Sequence, residues 1–237
     1  MLNQRLLTCF LCLSIFPSQI LTAQDKKDYF VFLTTGKSTE GVAKEEIQKK
    51  QAAHLENFGR LAKLGALSTA GPCSDPNKTT RGIVVIHADS IANAEALFGP
   101  DPYVSEGFMK AEMHQYRTVA GKIILDLESN ALDQYVIAIL RRGEKWPTTS
   151  ADPTASTTID SKLARFAADH HSSKKVAFAA LFTELSNNRS GRVAVMIFRG
   201  KELEPVKSLL ESQPLVSDGL LSFEAFPQYL AKNALPE

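Results

Sequence analysis

The sequence predicts an α+β protein made of two tandem units, each running β-α-β-β-α-β. Two observations carry that expectation. Short β-branched and aromatic runs alternate with segments of helical periodicity, and the whole order of elements is traversed twice within 237 residues. Composition agrees: hydrophobic residues make up 44% and charged residues 22%, enough apolar material for a packed core.

In the first unit, Tyr29 to Thr34 is a β-rich apolar run closed by Thr35-Gly36. Lys44 to Leu64 reads as a helix because Ile47, His54, Phe58 and Leu61 share one face. Gly65 follows it, where a left-handed C-cap costs glycine little. Ala66 to Ala70 is a short extended stretch before Gly71-Pro72, and a polar loop leads to Arg81-Gly82 and a strand from Ile83 to Ala88. Ser90 is placed to cap a helix from Ile91 to Phe98, which Gly99-Pro100-Asp101-Pro102 breaks. Phe108 to Arg117 is the last extended segment.

The second unit repeats the order with little identity. Gln134 to Arg141 is a strand, and the Pro-, Thr- and Ser-rich stretch Trp146 to Thr158 is expected to be a surface loop. A helix from Ile159 to about Lys174 follows, then strands Phe178 to Leu185 and Val193 to Phe198, a helix Lys201 to Leu210, and a strand Leu220 to Phe226. The expected division is a unit over 28–117, a connection over 118–133 and a second unit over 134–232. Each is a ferredoxin-like arrangement, in which two helices cover one sheet face and leave the other bare. Two such faces in one chain are expected to pack sheet to sheet as an intramolecular pseudo-dimer, with room for further homo-oligomerisation.

Residues 1–23 read as an export signal. Arg5 supplies the positive start, Leu6 to Phe16 is almost unbroken apolar sequence, and Thr22-Ala23 is a small-residue cleavage site. The run is short for a bilayer span, so no stable membrane span is expected after cleavage, and a periplasmic or secreted location follows. An uncleaved anchor is the competing reading. Cleavage would leave Cys73 as a single cysteine, which cannot form an intramolecular disulfide. It is expected to be an incidental loop thiol. The chain holds 27 basic and 26 acidic residues with no basic cluster, so nucleic-acid binding lacks an electrostatic footprint.

The first unit resembles the YCII-related family of dimeric α+β-barrel proteins. The residues that carry the resemblance are His54-Leu55-Glu56-Asn57, Leu61 to Gly65, Ala70-Gly71-Pro72, Arg81-Gly82-Ile83 and Asp101-Pro102-Tyr103-Val104, in order across roughly Asp28 to Arg117. The resemblance implies a His–Asp site at His54 and Asp101, with Gly71, Pro72 and Tyr103 on the substrate side. Some members resemble dehydrochlorinases and lyases acting on small cyclic compounds. The second unit departs from the pattern: Asp169-His170-His171 lies near the place of His54, and Gln213-Pro214 stands where Asp101-Pro102 would be. That half is expected to be a degenerate copy without the site.

An imidazole oriented by a carboxylate can take and return a proton near neutrality, typically contributing about 10²–10⁴-fold in rate. Such a pair suits elimination or isomerisation of a small molecule. A buried structural histidine and a turn-forming aspartate are the competing readings. No metal site is expected, because His54, His87 and His114 are well separated and the adjacent His170 and His171 point apart on a helix. Phosphate-binding and dinucleotide motifs are absent, so no cofactor is expected. The sequence leaves two functions open, a cofactor-independent lyase or isomerase and a non-catalytic ligand-binding or assembly module, with the ligand unknown.

Overall fold

A computed structural model describes residues 26–125, 131–147, 153–183 and 190–237; the proposed leader lies outside the described residues. The first half comprises β1 (Lys27–Thr35), α1 (Lys44–Lys63), β2 (Leu67–Pro72), β3 (Thr80–Ala88), α2 (Ile91–Ala96), α3 (Pro102–Ser105) and β4 (Met109–Gly121). The second comprises β5 (Leu132–Arg142), α4 (Pro153–Ser172), β6 (Val176–Phe182), β7 (Arg192–Phe198), α5 (Leu203–Glu211), α6 (Pro214–Ser217) and β8 (Leu221–Ala231). All strand pairings are antiparallel, in the order β2-β3-β1-β4-β6-β7-β5-β8.

The two ends of that order also meet. Cys73, just past β2, forms a bridge with Gln228 of β8, and the Ser74 amide donates to the Pro227 carbonyl at 2.8 Å. Gly71 permits this approach, since a Cβ there would lie 1.8 Å from the Tyr229 carbonyl oxygen. The glycine is required by backbone meeting backbone.

Alternation along the strands separates three cores. Phe30, Phe32, Ile83 and Val85 turn inward to meet Ile137, Phe178, Val195 and Phe226 in a central cluster that draws on both halves. Tyr29, Val31, Val84 and Ile86 face the opposite way, toward Leu61 of α1 and Ala94 of α2. Val136, Ala138, Met196 and Phe198 do the same beneath α4 and α5. Polar groups also cross the centre. Arg192 of β7, only 2% exposed, pairs with Glu112 of β4 and lies over the Phe32 ring.

Several expectations need adjustment. The second half's first helix begins at Pro153, inside the stretch read as a loop; proline is favoured in a first helical turn, where its missing N–H has no partner to lose. β4 runs past Arg117 to Gly121 because Tyr116 to Gly121 pair with β6. Gly71 and Pro72 belong to β2 itself, at its end, where a proline is tolerated. The sequence reads Gly99 to Pro102 only as a break, whereas Pro102–Ser105 and Pro214–Ser217 form the short helices α3 and α6. The Ser90 cap and the left-handed Gly65 (φ 63°) are as expected.

Candidate functional site

Helix α1 presents Lys50, His54, Asn57 and Leu61 on its buried face. This places the imidazole of His54, 7% exposed, against the start of α3. Asp101 stands at the N-cap of α3 and is fully buried. Its two oxygens divide the work. Oδ1 accepts the Tyr103 amide hydrogen at 3.0 Å, capping the helix, and Oδ2 lies 2.6 Å from His54 Nδ1. An ionised carboxylate can only accept, so Nδ1 carries the hydrogen and Nε2 of the neutral ring is left with its lone pair. Phe58 and Tyr103 hold the ring edge-on, at centroid distances of 4.5 and 5.5 Å.

His54 lines a cavity of about 420 Å³. Its apolar wall includes Leu33, Phe58, Ile83 and Met109, and Gln51 and Arg81 supply polar groups. Gly71, Pro72 and Gly82 form the strand side. Leu132 at the start of β5 joins the wall from the second half; it and Leu55 are exposed (54% and 57%). Tyr103 is not on the cavity wall. It stands behind the imidazole, buried, with its hydroxyl donating to the Ile47 carbonyl at 3.4 Å. Sequence reasoning therefore missed Arg81 as a cavity residue, although it sits in the quoted Arg81-Gly82-Ile83 run, and Leu132 gives no local signal. Lys50 was missed too. One turn before His54, it is held between Glu106 at 2.7 Å and Glu46 at 3.1 Å, which raises its pKa.

Other titratable groups are placed differently. The Cys73 thiol donates to Gln228 Oε1 at 2.7 Å, and burial pushes its pKa far up, away from the thiolate a nucleophile needs. His114 stacks on Phe182, and burial, with Arg141 nearby, lowers it from 6.5 to about 4. Among the described residues no cluster of three or more His, Cys, Asp or Glu side chains could hold a metal ion.

The second half supplies a comparison within the chain. Gln213 occupies the N-cap of α6 before Pro214, as Asp101 does before Pro102, and its Oε1 accepts from the Leu215 and Val216 amides at 2.6 and 3.3 Å. His54 and Leu163 each lie ten residues past the start of a 20-residue helix, at Lys44 and Pro153. The residue at the same helix position as His54 is Leu163, fully buried, whereas His170 and His171 lie further along α4. Those two histidines sit at the helix end, each with Nδ1 2.9 Å from a backbone carbonyl (Phe166 and Val176).

The model of the YCII-related domain matches residues 29–113, the part of the chain that carries this pair. Residues 29–113 form a YCII-related domain. The whole chain is similar in fold to a provisionally assigned monooxygenase from Fusobacterium nucleatum subsp. nucleatum, with a TM-score of 0.54 at 8% identity, covering 88% of this chain and 94% of that one. A mutant chlorite dismutase from Candidatus Nitrospira defluvii in complex with cyanide gives 0.54 at 10% identity, covering 89% and 92%. The same organism's chlorite dismutase in complex with imidazole gives 0.53 at 11%, covering 89% and 93%. At such identities the likeness is one of fold. No curated protein sequence matches the chain. Among the described residues, no helix is long and apolar enough to cross a membrane.

Proposed function

We propose that the chain acts on a small molecule by proton transfer, as a cofactor-independent lyase or isomerase. His54 is the general acid/base and Asp101 its orienting partner. The observation that supports this best is the 2.6 Å His54–Asp101 contact beside an open cavity of about 420 Å³. A purely structural histidine needs no such space. The carboxylate would hold the tautomer and stabilise the cation formed when Nε2 takes a proton. Gly71 and Pro72 would shape the substrate side, and Tyr103 would steady the imidazole from behind. The mainly apolar wall with Arg81 suits a small cyclic molecule bearing an acidic group.

The repeated order of elements and the shared central cluster favour reading the chain as two ferredoxin-like units, near 28–117 and 134–232, packed as a pseudo-dimer in one chain. The second would be a degenerate copy, since Leu163 and Gln213 can neither take up nor stabilise a proton as a histidine–carboxylate pair does. Export behind a leader over 1–23 rests on the sequence alone.

The competing reading, a binding module with a structural histidine, gives different results in one experiment. The protein is screened against small cyclic acids and phenols by thermal shift, and each binder is followed for turnover in the wild type and in His54→Ala. Turnover lost in His54→Ala with binding retained supports the enzyme. Binding without turnover in the wild type, or turnover unchanged in His54→Ala, rejects it.

A further inference from the structure

Away from the His54 cavity, three neighbouring strands bring Asp28 (β1), His87 (β3) and Ser68 (β2) into one hydrogen-bonded line. Asp28 and His87 are direct partners in the β1–β3 register, and His87 Nδ1 lies 2.5 Å from Asp28 Oδ1. On its other side, His87 Nε2 lies 2.6 Å from Ser68 Oγ. None of the three lines the His54 cavity. Because the carboxylate accepts the Nδ1 hydrogen, Nε2 is the acceptor, and it is the serine hydroxyl that donates to it. This is the connectivity of nucleophile, base and orienting acid.

A break in the strand register makes the line possible. Leu67 pairs with Ile86 and Thr69 with Val85, so Ser68 is an extra residue in β2. A β-bulge of this kind re-aims a side chain that regular alternation would send elsewhere. The next hydroxyl in the bulge, Thr69 Oγ1, is buried without a hydrogen-bond partner. A buried unsatisfied hydroxyl is costly, and it is a donor still uncommitted. Exposure is graded along the line. Ser68 is 6% exposed, whereas the His87 and Asp28 side chains are 35% and 43% exposed, so the base opens toward solvent and the nucleophile is sheltered.

We propose that Ser68, His87 and Asp28 form a second catalytic site, a serine acyl-transfer centre for small uncharged esters. Ser68 Oγ forms a bond to the ester carbonyl carbon while its proton passes to His87 Nε2. The carbon–oxygen bond to the alcohol then breaks, and the alcohol leaves with that proton. Water, giving a proton to His87, attacks the acyl-serine; the acid departs and His87 returns the proton to Ser68. Asp28 holds the imidazole throughout. The buried serine restricts the acyl group to a small one.

The test uses the full chain with a fluorophosphonate probe and p-nitrophenyl acetate. The expected result is a phosphonyl adduct on Ser68, located by peptide mass spectrometry, with ester hydrolysis reduced about 100-fold or more in Ser68→Ala and in His87→Gln. Absence of an adduct on the folded wild type, an adduct only elsewhere, or unchanged hydrolysis in Ser68→Ala overturns the proposal. Circular dichroism establishes that each variant is folded. A second comparison serves if Ser68→Ala does not fold: Ser68→Cys should be alkylated by iodoacetamide about 10-fold faster or more with His87 present than in Ser68→Cys combined with His87→Gln. Equal rates also overturn it.

Discussion

Ten residues into α1 the chain carries His54, and ten residues into α4 it carries Leu163; before the matching short helices stand Asp101 and Gln213. Both caps bind backbone amides through a side-chain oxygen, so capping by itself requires no charge. The carboxylate is needed only where a second oxygen must receive an imidazole N–H, and among the described residues the first half alone shows this. The apolar Leu163 shows what this helix position becomes when packing is its only task.

The sharpest way to break the comparison is to convert the first half to the second. His54→Leu with Asp101→Gln should retain the fold, because Leu163 and Gln213 already serve these places. Turnover of any identified substrate should fall about 10²–10⁴-fold in steady-state kinetics. A fully active double variant would remove the catalytic distinction between the halves.

A smaller effect concerns His114, whose surroundings come from both halves. Its folded pKa is near 4 against an ordinary 6.5, so between these values the unfolded chain binds a proton that the folded one does not. Its contribution should be complete above about pH 6.5, lost as pH falls toward 4, and then level, a change of about 3 kcal/mol at most. His114→Phe should flatten that segment of the stability curve measured by urea unfolding. An unchanged slope would place the neutral histidine's role elsewhere.

Next comes the contact between β2 and β8. Gly71→Ala drives a Cβ into the Tyr229 carbonyl and should cost about 1–3 kcal/mol in chemical denaturation. The smallest expected differences lie in the caps themselves. Gln213→Ala should cost about 1 kcal/mol, and Asp101→Ala about 1 kcal/mol more, because it also strips a buried imidazole of its partner. Equal losses would mean that the His54–Asp101 hydrogen bond adds nothing to the fold.

Much of this was legible locally. Periodicity puts His54 on the buried face of α1, Ser90 and Gly65 mark helix ends, and Gly99 to Pro102 marks a break, though not the short helix that starts there. The Pro153 start of α4 was hidden by a composition that usually marks loops. Lys50 and Arg81 escaped because a charged side chain on an otherwise ordinary element looks solvated until its neighbours are known.

The sequence by itself determined the alternation of strands and helices, the difference between Asp101-Pro102 and Gln213-Pro214, and the candidacy of His54 and Asp101. Each of these is written in the side chain or in spacing along one element. Only the tertiary structure decided that Nδ1 of one meets Oδ2 of the other across 47 positions, that Leu132 from the second half helps wall the cavity, and that a shift in strand register aligns Ser68 with His87 and Asp28. Such contacts depend on how strands pair and bulge, which is settled by packing between distant segments and leaves no periodic trace in the chain.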